Sequence, residues 1–390
     1  MSTMKSLVFA ISILFLIPDY SHACSMYKIT KDGKTIVGNN EDWFSPNSQF
    51  WFEKGRKGTY NVMYMGLLNN FAQGAINSQG LVFDGFANDY LEVKNTEGKI
   101  SVPIGEAVRN IMQTKSNVAE VKAYLETIDL SSLSEGQLVF VDKSGEYLIV
   151  EGDELIIGSA PEQCFSNFYY SQIESTDEVD LSTFKGGMKF LEESSSESTL
   201  DFTGEVMQSM SSPEGLTQYS TIYDLKKLTV RIYLYSDYSR YVEFSLLEKF
   251  KEDNHSVMIV DLFPKETEGY QNYLAYNDAE KPTRFLEEMM GDEIVTEEEM
   301  EQMGFDNIIN TVGYEWLMDK ENPEGAIEIF AYGTTLLPHN ANLFDSLGEA
   351  YFKNEEYGKS EKAYKQSLAL NPENEGALKM LEEMAREKKK

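Results

Sequence analysis

The stretch "GQLVFVDKSGEYLIVEGDELIIGS", residues 136–159, limits the fold more than any other. Three short runs of Val, Ile, Leu, Phe and Tyr are separated only by Ser144-Gly145 and Gly152-Asp153. Turns that short return a strand alongside its predecessor in antiparallel pairing, because a parallel neighbour needs a crossover of about a dozen residues. The same pattern recurs. "SMYKIT" and "KTIVGNN" flank Asp32-Gly33, and "FAQGAINSQGLVFDGF" folds about Ser78-Gln79-Gly80. "YSTIYDLKKLTVRIYLYSDYSRYVEFSL" reads as a further hairpin or meander. Helical periodicity falls in separate blocks, over 104–113, 118–127, 184–193 and 203–210. Strands and helices segregated in this way predict an α+β layered domain over 24–264, not alternating βαβ units.

The rest of the chain changes character. Residues 265–303, with "FLEEMMGDEIVTEEEMEQM", read as an acidic linker without a core face. Residues 304–390 repeat. Ala326 aligns with Ser360, Phe330 with Tyr364, Leu336 with Leu370, Pro338 with Pro372 and Asn340 with Asn374, each at an offset of 34. That is the period of tetratricopeptide helix pairs. The segment therefore predicts a small all-α helical-repeat domain, closed by the polar-faced helix "ALKMLEEMAREKKK". Two pairs are few for an independent solenoid, so the repeats are expected to lean on the first domain or on a protein partner.

The N-terminus reads as a secretory signal. Lys5 precedes an apolar run over 7–17, then Pro18 and the small-residue pattern Ser21-x-Ala23. Cleavage after Ala23 removes 1–23 and places the mature chain outside the cytoplasm, secreted or periplasmic. No later run is long and apolar enough to span a bilayer, so no membrane anchor is expected. The net charge of −31 gives no electrostatic reason to bind nucleic acid or an anionic membrane.

The chemical inventory is short. The chain has three histidines and two cysteines. His22 lies in the leader, His255 in a polar turn and His339 in a repeat loop. No cluster of His and Cys can build a zinc site, and no metal or cofactor is expected. Cys24 follows the cleavage point directly, and three roles are open to it. It can pair with Cys164 as a disulfide, as two cysteines in an exported chain often do. It can carry a lipid, although Ser21 and His22 match a lipobox poorly. It can also be a nucleophile: once freed, Cys24 carries a thiol titrating near ~8.5 and an α-amine near ~8, so one residue supplies nucleophile and base without a histidine.

The surroundings of Cys24 bear on that choice. "CSMYKITKDGKTIVGNNEDWF" resembles the start of the N-terminal-nucleophile cysteine hydrolases: the choloylglycine hydrolases, penicillin V acylases and penicillin acyltransferases. The resemblance implies a four-layer αββα sandwich and hydrolysis of linear amide C–N bonds in small N-acyl substrates. It implies Cys24 as nucleophile and Asp42, in "GNNEDW", as the residue that holds the α-amine. "AINSQGLVFDGFAND" and "CFSNFYYSQ" resemble segments that supply oxyanion donors, which places those roles at Ala87 and Asn167. Many relatives carry an Arg where this chain has Asn39, and a second family Arg has no counterpart between Asn167 and Tyr223. Trp43, Phe44, Phe86 and Phe168 are candidates for an acyl pocket. The same acyl-enzyme would serve an acyltransferase. An alternative of another class is an interaction protein whose inactive hydrolase domain is held by a Cys24–Cys164 disulfide.

Overall fold

The computed structural model describes residues 24–212, 217–291 and 295–387. The leader predicted at 1–23 lies outside them. The chain opens with a hairpin, β1 (Ser25–Lys31) and β2 (Lys34–Asp42), turning at Asp32-Gly33 with positive φ at both residues. A four-strand meander follows: β3 (Ser48–Glu53), β4 (Val62–Leu67), β5 (Ala72–Asn77) and β6 (Val82–Ala87). Next come β7 (Ile100–Ser101), α1 (Ile104–Thr114), α2 (Val118–Leu125) and β8 (Ile128–Asp129). The stretch over residues 136–159 forms β9 (Gly136–Val141), β10 (Tyr147–Glu151) and β11 (Glu154–Gly158), and β12 (Glu162–Ser166) follows. After α3 (Ser182–Glu193) and α4 (Leu200–Ser209), the late meander is β13 (Thr217–Asp224), β14 (Thr229–Leu234) and β15 (Asp237–Ser245). The short α5 (Leu246–Lys249) and β16 (His255–Met258) end this region.

Apart from β7 and β8, which pair with each other in parallel, these strands make two large antiparallel sheets. One runs β12-β1-β2-β13-β14-β15 and the other β11-β10-β9-β6-β5-β4-β3-β16. Alternation along each strand decides the layers. Met26, Val37, Phe165 and Tyr219 of the first sheet pack against Phe50, Met63, Ile76 and Val139 of the second. The opposite parity, Tyr27, Ile29 and Ile36, packs on Phe184, Phe202 and Met207 of α3 and α4. On the far side Leu81, Phe83, Phe140 and Leu148 pack on Ala107, Ile111 and Val121 of α1 and α2. The arrangement is helix, sheet, sheet, helix. Buried Lys28 ties the two sheets at one edge: its Nζ donates to the Gly145 carbonyl at 2.8 Å.

The expectation that 265–303 has no core face is corrected. Its described residues form α6 (Glu268–Tyr276), α7 (Arg284–Met290) and α8 (Glu297–Gln302). Tyr276, Phe285, Leu286 and Met300 are buried in one cluster with Phe44. The helices are too short to display a periodicity, and their acidic residues lie on the outside. Beyond them come α9 (Phe305–Tyr314) with a π-helical turn over Glu315–Asp319, α10 (Pro323–Leu336), α11 (Ala341–Lys353), α12 (Tyr357–Leu370) and α13 (Glu375–Glu387). α10 and α12 are both 14 residues long. Their close packing uses glycine: a Cβ on Gly313 would meet the Phe330 ring, and one on Gly348 would stand 2.8 Å from Tyr364.

Candidate active site

Cys24 sits at the mouth of β1 with the parity of Met26, so its side chain faces the layer between the sheets and packs half-buried against that core. The register that pairs Ser25 with Ser166 continues to place Cys24 opposite Asn167, and Ser166 Oγ donates to the Cys24 carbonyl at 2.9 Å. Asn167 Nδ2 in turn donates to the carbonyl of Ala87, at the end of β6, at 2.6 Å. Asp42 ends β2, and its carbonyl lies 3.8 Å from Cys24 Sγ. The four residues picked from the sequence therefore converge from three strand ends and one loop. One Asn167 N–H is engaged by Ala87 and an amide carries two.

The carboxylates around Cys24 take different partners. One oxygen of the Asp42 carboxylate, Oδ1, accepts from Thr217 Oγ1 at 2.6 Å. The carboxylate that meets the thiol is that of Glu41: Cys24 Sγ lies 3.7 Å from Glu41 Oε2. Glu41 Oε1 accepts from Asn39 Nδ2 at 3.0 Å, and Asn39 Oδ1 accepts from Thr221. Asp84 of β6 approaches Glu41 from the opposite sheet, with the Gly85 N–H donating to its Oδ1 at 3.0 Å. Gly74 forms the floor, where a Cβ would stand 3.5 Å from Asp84 Oδ1 and 3.9 Å from Asn39 Nδ2. Glu41 and Asp84 are each 1% exposed. Two ionised carboxylates in such a layer would be costly. Burial pushes Asp84 well above the usual carboxylate range, and Glu41 adds to it. Burial also lifts Glu41, to about 7, against hydrogen bonds from Asp84, Cys24 and Asn39. The Cys24 thiol is pushed up by burial first and then by the charges of Glu41 and Asp42.

The Cys24–Cys164 disulfide is corrected: both cysteines are free. Cys164 pairs with Tyr27 and belongs to the outer layer against α3 and α4, whereas Cys24 faces inward. Three residues of register separate them, about 10 Å along the strand, beyond a disulfide's reach. The proposed acyl-pocket aromatics scatter too. Phe44 joins the C-terminal helices, Phe86 the inter-sheet core, and Phe168 packs on Phe184 in the outer layer. His255 stacks on Phe52, and exposed His339 pairs with Glu297. Among the described residues no cluster of three or more His, Cys, Asp or Glu could hold a metal ion.

No family model and no curated protein matches this chain. Among solved structures it is similar to two variants of conjugated bile acid hydrolase from Clostridium perfringens. One is 16% identical with a TM-score of 0.46, covering 60% of this chain and 95% of that one. The other is 17% identical with a TM-score of 0.47, covering 60% and 96%. Penicillin V acylase from Agrobacterium tumefaciens is 15% identical with a TM-score of 0.43, covering 54% and 82%.

Proposed function

We propose that this chain is an exported hydrolase of linear amide bonds in N-acyl substrates, with Cys24 as its nucleophile once cleavage after Ala23 frees it. The observation that carries the reading is the Cys24 thiol at the start of β1, facing the inter-sheet layer opposite Asn167. Among the described residues no histidine contacts the thiol, and the α-amine that cleavage creates carries protons in the reaction. Sγ attacks the amide carbonyl, the second N–H of Asn167 and the Ala87 N–H receive the oxyanion, and Asp42 holds the α-amine. A preorganised donor of this kind is worth roughly 2.7–4 kcal/mol. Water then releases the acyl group. An amine acceptor in place of water would make the same site an acyltransferase. We place the active protein outside the cytoplasm. We read the C-terminal helices as tetratricopeptide repeats that offer a surface to a protein partner.

The test is intact mass and N-terminal sequencing of the exported protein, combined with turnover of N-acyl chromogenic amides. The mature form should begin at Cys24, without a lipid. One extra residue before Cys24 should abolish turnover nearly as completely as Cys24→Ala, because the base becomes an amide nitrogen. An uncleaved extended protein that hydrolyses at the mature rate would refute the α-amine as base.

A further inference from the structure

Resting on the reading of Cys24 as nucleophile, we propose that Glu41 is a second catalytic residue: it takes the thiol proton as sulfur attacks, leaving the α-amine to serve the substrate nitrogen and the incoming water. The geometry is direct. Glu41 Oε2 is the carboxylate oxygen that meets Sγ, at 3.7 Å, a distance suited to an S–H donor. Its other oxygen is fixed by Asn39, which Thr221 orients in turn. The carboxylate is buried and locked, with one oxygen aimed at the sulfur.

The electrostatics fit the same role. Cys24 faces Glu41 from β1, Asp84 from β6, and Tyr219 and Tyr223 from β13, while Asp42 adjoins it on its own strand. None of the groups that act most strongly on Glu41 is a Lys, Arg or His. Burial and the neighbouring Glu41 push Asp84 up, and Glu41 exchanges its own proton near pH 7. A base performs best when it titrates near the working pH. Cys24 benefits from one in contact, since burial and the charges of Glu41 and Asp42 push its thiol up.

The cycle balances. It starts with Glu41 ionised, Cys24 as thiol and the α-amine protonated. Sγ forms the S–C bond and its proton passes to Glu41. The C–N bond breaks as the leaving nitrogen takes a proton from the α-ammonium. Water attacks the acyl-enzyme and gives its proton to the α-amine. The C–S bond breaks and sulfur takes its proton back from Glu41. Every group is then restored.

The experiment uses the mature full chain with its N-terminus verified at Cys24. Iodoacetamide alkylation of Cys24, followed by peptide mass, is measured from about pH 5 to 9 for wild type and Glu41→Gln, alongside hydrolysis of an N-acyl chromogenic amide. Wild type should show a bend in the alkylation rate near pH 7. Glu41→Gln should lose that bend and turn over roughly 10²–10⁴-fold more slowly, with KM little changed. A purely structural role for Glu41 would not move the bend. The proposal is overturned if wild type shows no bend, a result that needs no variant to fold, or if Glu41→Gln keeps both bend and turnover. Hydrolysis surviving in Cys24→Ala would instead overturn the nucleophile itself, and is told apart by that variant alone.

Discussion

Replacing Glu41 by Gln should change how stability depends on pH. The carboxyl is 1% exposed, and its value in the fold is about 7 against the ordinary 4.5. The folded protein therefore holds this proton more tightly than the unfolded chain does. Stability from this group is fully present below about pH 4.5 and is lost as pH rises through about 7. The gap of 7 − 4.5 = 2.5 pH units, at 1.36 kcal/mol each, amounts to about 3 kcal/mol. Asp84, raised in the same direction, adds a fall of the same sign. Glu41→Gln keeps the shape and a group for Asn39 to bond, but removes the titration. Urea unfolding of both proteins at about pH 5 and about pH 8 reads the difference. Wild type should lose about 3 kcal/mol more than the variant between the two. Equal losses, within the roughly 10–15% error of the extrapolation, would show that Glu41 ionises at no cost and that the buried acid pair has been misread.

Two further outcomes follow from packing. Gly145→Ala places a side chain at φ +88° and into Thr30 Oγ1, beside the carbonyl that Lys28 holds, and should cost about 2–4 kcal/mol by urea unfolding. Truncation before Gly304 should impair turnover of a chromogenic amide. It uncovers Phe44 and removes Glu315, which accepts from Ser45 Oγ at 2.9 Å and Asn47 Nδ2 at 3.0 Å just beyond Asp42; full activity in a folded truncated chain would show that this contact does not shape the site.

The hairpins were legible because each depends on a local turn. Asp32-Gly33, Ser144-Gly145 and Gly152-Asp153 mark the bends that the structure makes, and α1 to α4 lie within a few residues of their expected spans. Strands β3 and β4 were not legible. "SQFWFE" and "VMYMGL" are buried on both faces over nearly their whole length, so the alternation that betrays a half-exposed strand is missing. The packing of 265–303 was hidden for a related reason. Its apolar residues act through contacts with Phe44 and the later helices, which no local window contains.

The site shows the same division more sharply. Cys24, Asp42, Ala87 and Asn167 could be picked out from motifs because each lies at or next to the end of a strand. Which acidic side chain meets the sulfur depends instead on strand parity. Cys24 shares its face with Met26, and across β2 that face carries Val37, Asn39 and Glu41. Asp42 falls on the other parity, and its side chain turns to Thr217. Nothing in "KTIVGNNED" marks which parity faces inward, because the strand is buried on both faces, Ile36 outward and Val37 inward. Nor does any pattern within β2 announce what faces it, where Asp84 completes the acid pair from the opposite sheet. Asn39 shows the coupling. Where the resemblance led to an Arg, this chain has a neutral amide that donates to Glu41. A cation there would hold Glu41 ionised well below neutral pH, whereas an amide lets burial raise it. The departure at Asn39 and the acid at Glu41 are thus one feature of this site, and a Glu41 that exchanges its proton near neutral pH depends on both.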